Sequence, residues 1–211
     1  MNHKIGTDTY FLKNRYLSLI KKMGRDNFKK IRSARIGIAG AGGLGSNCAA
    51  NLVRVGFQKL TIVDFDRIDA GNLDRQFFFL DQVGMDKVEA LKVNLSRINP
   101  ALELKIIKKR IEKDNVRELF GDCDVVAECL DTARYKKILL EELLIMKKFI
   151  VAVSGLGGIG SSDEIKIHRV KSNLVMIGDL VSDICRQPAL SPRVNIAAAK
   201  QADIILEYVL R

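Results

Sequence analysis

The chain is poor in the residues that staple small proteins together. Its four cysteines, Cys48, Cys123, Cys129 and Cys185, form no close pair, and none falls in a C-x-x-C spacing. That pattern excludes the disulfide framework of a small secreted domain and a structural zinc site. The thiols therefore read as reduced, as in a cytoplasmic protein. Long apolar runs are missing too. No stretch approaches the roughly 18–20 residues of a membrane span, and Met1 to Tyr10 shows no apolar core of a secretory leader. Aromatics are scarce at 6%, yet 47% of residues are hydrophobic, which points to an interior of aliphatic strands. With no internal repeat and no low-complexity linker, residues 1–211 read as one domain, large enough to bury its own core.

What the chain has in excess is positive charge: 35 lysines and arginines against 25 acidic residues, a formal net charge of +10. Clusters stand at Lys21-Lys22, Lys29-Lys30 and Lys108-Lys109-Arg110. A solvated basic face, an acidic protein partner and an RNA substrate all suit such a surface. Charge alone does not choose among them.

The hydrophobic pattern alternates between helix and strand periods. Residues 1–32 form a helical lead-in, with Leu12, Tyr16, Leu19, Ile20 and Met23 at helical spacing. Ile36 to Ala39 is a short strand, and Gly40 to Gly45 turns it into a helix carrying Leu44, Cys48, Leu52 and Val55 on one face. Gly56 suits the C-terminal cap of that helix. Leu60 to Val63 is the second strand. Val88, Leu91, Leu95 and Ile98 mark another helix, stopped by Asn99-Pro100. Strands follow at Leu102–Ile107, Asp124–Leu130 and Phe149–Ser154, with helices near Asp114–Phe120 and Ala133–Met146 between them. Glu164–Val170 and Leu174–Ile177 read as a strand pair, and Ser191-Pro192 opens a last helix. Such alternation predicts a Rossmann-like, doubly wound α/β fold: a mostly parallel sheet, helices on both faces and an antiparallel C-terminal extension.

Two segments share one spelling. Gly40-Ala41-Gly42-Gly43-Leu44-Gly45 lies between a strand and a helix, where free amides and the helix dipole favour a phosphate. Gly40 permits the turn, Gly42 lets phosphate approach the backbone, and Gly45 allows close helix–strand packing. Asp64, at the end of the second strand, suits ribose hydroxyls. Gly155-Leu156-Gly157-Gly158-Ile159-Gly160 nearly copies the loop, but the alternating Ile165-Lys166-Ile167-His168 follows instead of a helix. The second loop lacks the anion-binding helix start and reads as a flexible loop lining the site.

Beyond Asp64 the chain resembles the ThiF/MoeB/HesA group, bacterial relatives of ubiquitin-activating enzymes. The resemblance rests on G-A-G-G-L-G-S at Gly40–Ser46, D-F-D at Asp64–Asp66, N-L-D-R-Q at Asn72–Gln76, D-Q-V-G-M-D-K at Asp81–Lys87 and E-C-L-D at Glu128–Asp131. It implies an adenylyltransferase that binds MgATP and activates the C-terminal glycine of a small ubiquitin-fold carrier. Arg75 and Lys87 match the family's phosphate-binding cations. Asn72 and Gln76 match its polar positions around the phosphates, and Asp66 falls within its acidic motif. Asp131 matches the residue that holds Mg²⁺; an N-cap for the following helix is its plainer use. Cys185-Arg186 resembles the pair at which ThiF proteins engage the activated carrier, although an incidental loop cysteine fits equally. Cys48 and Cys129 read as packing residues.

Three positions depart from the family's pattern: Thr132 replaces the asparagine after the magnesium aspartate, Gly71 a serine before Asn72, and Ser18 the arginine that reaches across a dimer. Arg15 is the candidate substitute for that arginine. The short chain without zinc ligands most resembles a reduced ThiF. That resemblance implies ATP and Mg²⁺ as cofactors, a homodimer, a ThiS-like sulfur carrier as partner for thiamine thiazole synthesis, and a persulfide sulfur donor. Adenylation of a carboxylate on modified tRNA is the alternative within the fold. A dinucleotide oxidoreductase would leave Arg75, Gln76, Lys87 and Asp131 without a task, and a non-catalytic adaptor would bind ATP without turnover.

Overall fold

A computed structural model describes the backbone of residues 2–183 and 186–211, and the side chains within that range from Tyr10 onward. The lead-in is two helices rather than one, α1 (Asn2–Met23) and α2 (Arg25–Ser33). Gly24 breaks them apart at φ 85°, a left-handed conformation that glycine adopts at little cost. Phe28 and Ile31 of α2 are buried, and the Phe28 ring meets Tyr16 of α1 at 5.5 Å. That contact joins the two helices, and Phe28 and Ile31 dock the pair by entering the main core cluster.

The sheet is built from β1 (Arg35–Ala39), β2 (Lys59–Val63), β3 (Glu103–Ile107), β4 (Val125–Glu128), β5 (Phe149–Val153), β6 (Lys166–Lys171) and β7 (Leu174–Gly178). Their order is β3-β2-β1-β4-β5-β7-β6. All neighbours pair in parallel except β6 and β7. The expected antiparallel extension is thus a hairpin whose second strand, β7, joins β5 in parallel and continues the same sheet.

Helices cover both faces, as the alternation predicts. On one face lie α3 (Gly43–Val55), α4 (Lys87–Ile98) and α7 (Ser191–Leu210); on the other lie α5 (Val116–Phe120) and α6 (Ala133–Ile145). The period-2 pattern of the strands divides the core accordingly. Ile36, Ile38, Val125 and Ala127 pack beneath α3 and α7, while Ala39 and Val126 meet Phe120, Leu139 and Leu143. Sequence and structure differ mainly at element ends. α5 starts at Val116 rather than Asp114, and β4 is confined to Val125–Glu128.

The order matters for function because β1 stands between β2 and β4. Connections leave β1 toward β2 and β3, then cross back to β4 on its other side. A crevice opens at the carboxyl ends of β1 and β4, where α/β sheets take their ligands.

Candidate functional site

The glycine loop lies at that crevice. Gly40 holds φ 100° as β1 ends, and its amide donates to the Val63 carbonyl at 2.9 Å. Gly45 is fixed by close approach: a Cβ there would stand 1.8 Å from the Gly40 carbonyl oxygen. The helix start that follows has Gly42 as its N-cap and no side chain capping it, so its first amides stay available to an anion.

Asp64 is tied into the same loop. Its carboxylate accepts from the Ala41 amide at 2.6 Å and the Asp66 amide at 2.8 Å. Burial raises its pKa, opposed by those two amides and by Lys87. Lys87, at the start of α4, is buried and donates to Asp66 at 2.8 Å. A buried ammonium with one carboxylate partner is a cation the protein has already desolvated and fixed.

The Asn72–Gln76 segment folds over the loop's other edge. Arg75 contacts the space beside Gly43, with its Cγ 3.5 Å from where a Cβ would be, and its guanidinium donates to the Gly71 carbonyl and Asp74. The Gln76 amide nitrogen is the nearest atom to Gly42, 3.9 Å from that glycine's Cβ position, and its Oε1 is buried without a protein partner. An unfilled buried amide beside open space over Gly42 suits a polar ligand. Asn72 serves the loop itself: its Oδ1 accepts the Asp69 amide while Asp69 accepts the Gly71 amide. The sequence offered no sign of that capping duty. Ser46 and Asn47 complete the junction, binding the Phe77 amide and the Gly43 and Arg75 carbonyls.

Asp131 follows β4 across the crevice. It is exposed and, among the described residues, accepts only the Thr132 hydroxyl, at 3.0 Å. The N-cap position of α6 belongs to Thr132, with no side-chain cap bond, so Asp131 does not serve as the cap. Among the described residues no group of three or more His, Cys, Asp or Glu gathers to hold a metal. One free carboxylate still fits a magnesium ion, which takes one or two protein carboxylates and completes its shell with phosphate oxygens and water.

Beneath Asp131 lies a pair that sequence reading missed. The fully buried Glu128 binds Lys136 at 2.8 Å and accepts the Leu130 amide at 2.7 Å, and Lys136 also donates to the Val153 carbonyl. Together they fix the turn that carries Asp131.

Other expectations fare differently. Arg15 donates to the carbonyls of Val53 and Arg54, at the far end of α3 from the glycine loop. Within this chain it caps a helix and does not reach the site. Cys185 lies outside the described residues. Cys48 and Cys129 are packing residues: burial pushes Cys48 to about 12 and Cys129 well above the usual thiol value. Cys123 is raised to about 11, also by burial. Among the described residues no helix is long and apolar enough to cross a membrane.

Residues 14–173 match the model of the ThiF family. A molybdopterin-synthase adenylyltransferase of Haemophilus influenzae is 29% identical over 174 residues, covering 82% of this chain and 70% of that protein. The adenylyltransferase and sulfurtransferase UBA4 of Scheffersomyces stipitis is 34% identical over 128 residues, 60% of this chain, which spans only 29% of that longer protein. Among solved structures, an E. coli tRNA N6-threonylcarbamoyladenosine dehydratase in complex with ATP superposes with a TM-score of 0.85. It covers 93% of this chain and 94% of that one at 20% identity, a likeness of fold. The family match runs through the glycine loop, Asp64, the Asn72–Gln76 segment and Asp131: the chain belongs to the ThiF family.

Proposed function

We propose that this ThiF-family adenylyltransferase activates the C-terminal glycine of a ThiS-like sulfur carrier, as a step toward the thiazole of thiamine. The observation that carries the reading is the convergence of the uncapped start of α3, the Asp64 carboxylate and the buried Lys87 cation on one crevice. In the reaction a carrier carboxylate oxygen attacks the α-phosphorus of ATP. A P–O bond forms, the bond to the β-phosphate bridge breaks, and pyrophosphate leaves with that electron pair. Negative charge gathers on phosphate oxygens as this happens. Lys87 and Arg75, already fixed in place, stabilise that charge without reorganising.

Asp64 accepts the ribose hydroxyls and Gln76 binds beside the phosphates. Magnesium, held by Asp131, would supply further charge neutralisation. The carrier class is supported by the pairing of adenylyltransferase with sulfurtransferase in the name of one relative, by the +10 charge, which suits an acidic partner, and by the exposed apolar Ile159, within the second glycine loop, and Val181, after β7. Cys185 is proposed as the nucleophile toward the acyl-adenylate, beside Arg186.

The test is ATP–pyrophosphate exchange with ThiS-like carriers ending in Gly-Gly, with bulk tRNA run in parallel. Carrier-dependent exchange is expected. The second reading, adenylation of a carboxylate on modified tRNA, draws on the basic surface and on the full-length likeness in fold to the tRNA dehydratase. Exchange stimulated by tRNA alone would replace the first reading with the second, and exchange with neither would sink both. Cys185→Ala should leave exchange intact and abolish any covalent carrier adduct detected by mass spectrometry.

A further inference from the structure

The positive charge of this chain is concentrated in one place. The two lead-in helices, residues 2–33, hold nine lysines and arginines against two acidic residues, a net +7 of the chain's +10. The rest of the chain carries the remaining +3. Those helices also sit at one end of the molecule. Arg15 meets the carbonyls of Val53 and Arg54 in the last turn of α3, Lys30 donates to the Leu210 carbonyl at the end of α7, and Arg32 donates to the Gln58 side chain just before β2. The pair therefore covers the end of the sheet where the parallel strands begin, opposite the crevice at their carboxyl ends. A strand of five residues, roughly 17 Å, separates the two.

The make-up of this surface selects its partner. The exposed residues of α2 are Arg25, Asp26, Lys29, Lys30 and Ser33, with no apolar side chain among them. Protein interfaces have an apolar centre and are depleted in lysine, so this face does not suit a tightly docked protein. An acidic carrier can still be steered to the crevice by the charge of the whole molecule. Lys21, Lys22 and Arg25 are exposed, and among the described residues their side chains have no hydrogen-bond or ion-pair partner. Lys29 meets Asp26 at 3.8 Å. Such cations neutralise phosphates without giving up other bonds. Two rings join them: Tyr10 and Phe11 are 61% and 62% exposed, with centroids 5.6 Å apart. Tyr10 precedes Lys21 by eleven residues and Phe11 precedes Lys22 by the same interval, about three turns or ~16 Å along one face. Cations for a backbone and rings for unpaired bases together suit a single strand.

We propose that α1 and α2 form a docking surface for RNA, with Lys21, Lys22 and Arg25 on its phosphates and Tyr10 and Phe11 on unpaired bases. The surface lies apart from the adenylation site, and the proposal stands whichever carboxylate the crevice activates.

Fluorescence anisotropy of the full chain with a labelled single-stranded RNA, repeated across salt concentrations, tests it. Each cation on a single-strand phosphate contributes about 0.7 to the slope of log affinity against log salt. The triple variant Lys21→Ala, Lys22→Ala, Arg25→Ala should therefore flatten that slope by about 2 and weaken binding about 10²-fold at 0.1 M salt. Tyr10→Ala with Phe11→Ala should weaken binding about tenfold and leave the slope unchanged, since stacking releases no counterions. A control triple, Lys137→Ala, Lys166→Ala, Lys171→Ala, removes as much charge from elsewhere and should bind RNA almost as wild type does. All these side chains are exposed or half-buried, so circular dichroism spectra and ATP binding are expected to stay at wild-type values. Equal weakening in the control triple would assign the binding to overall charge and overturn the proposal. Tighter binding of poly-glutamate, of phosphatidylglycerol vesicles or of duplex DNA than of the RNA would overturn the choice of partner, and wild-type protein that binds no RNA would overturn it outright.

Discussion

Two near-copies of one glycine sequence sit in this chain, and they are held in place by opposite means. The loop at Gly40–Gly45 takes its shape from backbone, with Gly40 and Gly45 touching and α3 beginning where the loop ends, and the Asp64 carboxylate holds its Ala41 amide. The loop at Gly155–Gly160 leads into a short turn and then β6, and is fixed by a side chain from elsewhere. Arg193, buried in the first turn of α7, donates to the carbonyls of Leu156, Gly160 and Ser161 and pairs with Asp179 at 2.8 Å. Asp179 in turn accepts the Val181 and Ser182 amides. The first loop spends its geometry on leaving amides free for an anion. The second has its carbonyls gripped by a cation, which is the wrong polarity for phosphate. Spelling alone does not make a phosphate site; the helix that follows does.

The two loops also share a neighbour. Val194, next to Arg193, lies 3.0 Å from the position of a Cβ on Gly43, so the first turn of α7 touches the phosphate loop while holding the second loop. Ser161 and Leu180 adopt left-handed backbone, at φ 46° and 61°, within this held region. Such non-glycine strain persists only where surrounding contacts over-determine it, and Arg193 with Asp179 supplies those contacts.

The comparison breaks most sharply at matched glycines. Gly45→Ala drives a methyl group into the Gly40 carbonyl, forcing α3 off β1. A misplacement of about 1 Å can cost ~10²-fold in rate, and this clash demands a larger shift, so exchange is expected to fall to background. Gly160→Ala meets nothing within 4 Å and pays only for its φ of 73°, about 1–2 kcal/mol. It should keep ATP binding with a slightly lowered melting temperature. Normal exchange in Gly45→Ala would show that the first loop is not held as described.

Next in size is the grip on the second loop. Arg193→Gln breaks a buried pair, a change that costs about 3–5 kcal/mol. The lower end applies, because Asp179 keeps its amide donors. For a chain of this size 3 kcal/mol is a fall of roughly 6–12 °C in melting temperature. Limited proteolysis should then cut near Gly155–Ser161 before it cuts near Gly40. Cleavage at both loops together would mean that Arg193 supports the whole fold instead of one loop.

These two regions also show what sequence makes legible. The first loop, Asp64 and the Asn72–Gln76 segment are contiguous motifs whose local order dictates their geometry, so periodicity and spelling were enough to place them. Arg193 with Asp179 and Glu128 with Lys136 are partners on different elements. Only the strand order brings them together, and no spacing along the chain announces them. Within its own chain Arg15 reaches the far end of α3, and no motif position announces which helix end a long side chain will meet. The turn-capping bond of Asn72 was equally unannounced, since in a tight turn an asparagine can serve the backbone as readily as a ligand.

Against the structural grip of Arg193, the charged groups facing the first loop should be functional and nearly silent in stability. Arg75 binds the Gly71 carbonyl and Asp74, and Asp131 accepts the Thr132 hydroxyl. Arg75→Ala and Asp131→Asn are each expected to lower exchange ~10²-fold, the scale of one preorganised charge contact. Exposed contacts of this kind contribute about 0–1 kcal/mol to folding, so thermal melts should barely move. Full activity in either variant removes that residue from the proposed mechanism.

The smallest effect is the most discriminating, because in it binding and stability move in opposite directions. Burial raises the Asp64 pKa above the ordinary carboxylate value, and the Asp66 and Ala41 amides with Lys87 only partly restore it. In the window between the unfolded and the raised folded value, the folded protein binds the Asp64 proton and the unfolded chain does not. Stability from this group therefore rises as pH falls through that window. Nucleotide binding runs the other way, since a protonated Asp64 is a poorer acceptor for ribose hydroxyls. ATP affinity should weaken on acidification while the difference in stability between wild type and Asp64→Asn shifts in favour of wild type. In Asp64→Asn the acid limb of ATP binding should flatten, as the titrating group is gone. Calorimetric ATP titrations and thermal melts of both proteins across that window measure the two trends. An acid limb that survives unchanged in Asp64→Asn would show that Asp64 is not the group whose protonation weakens ATP.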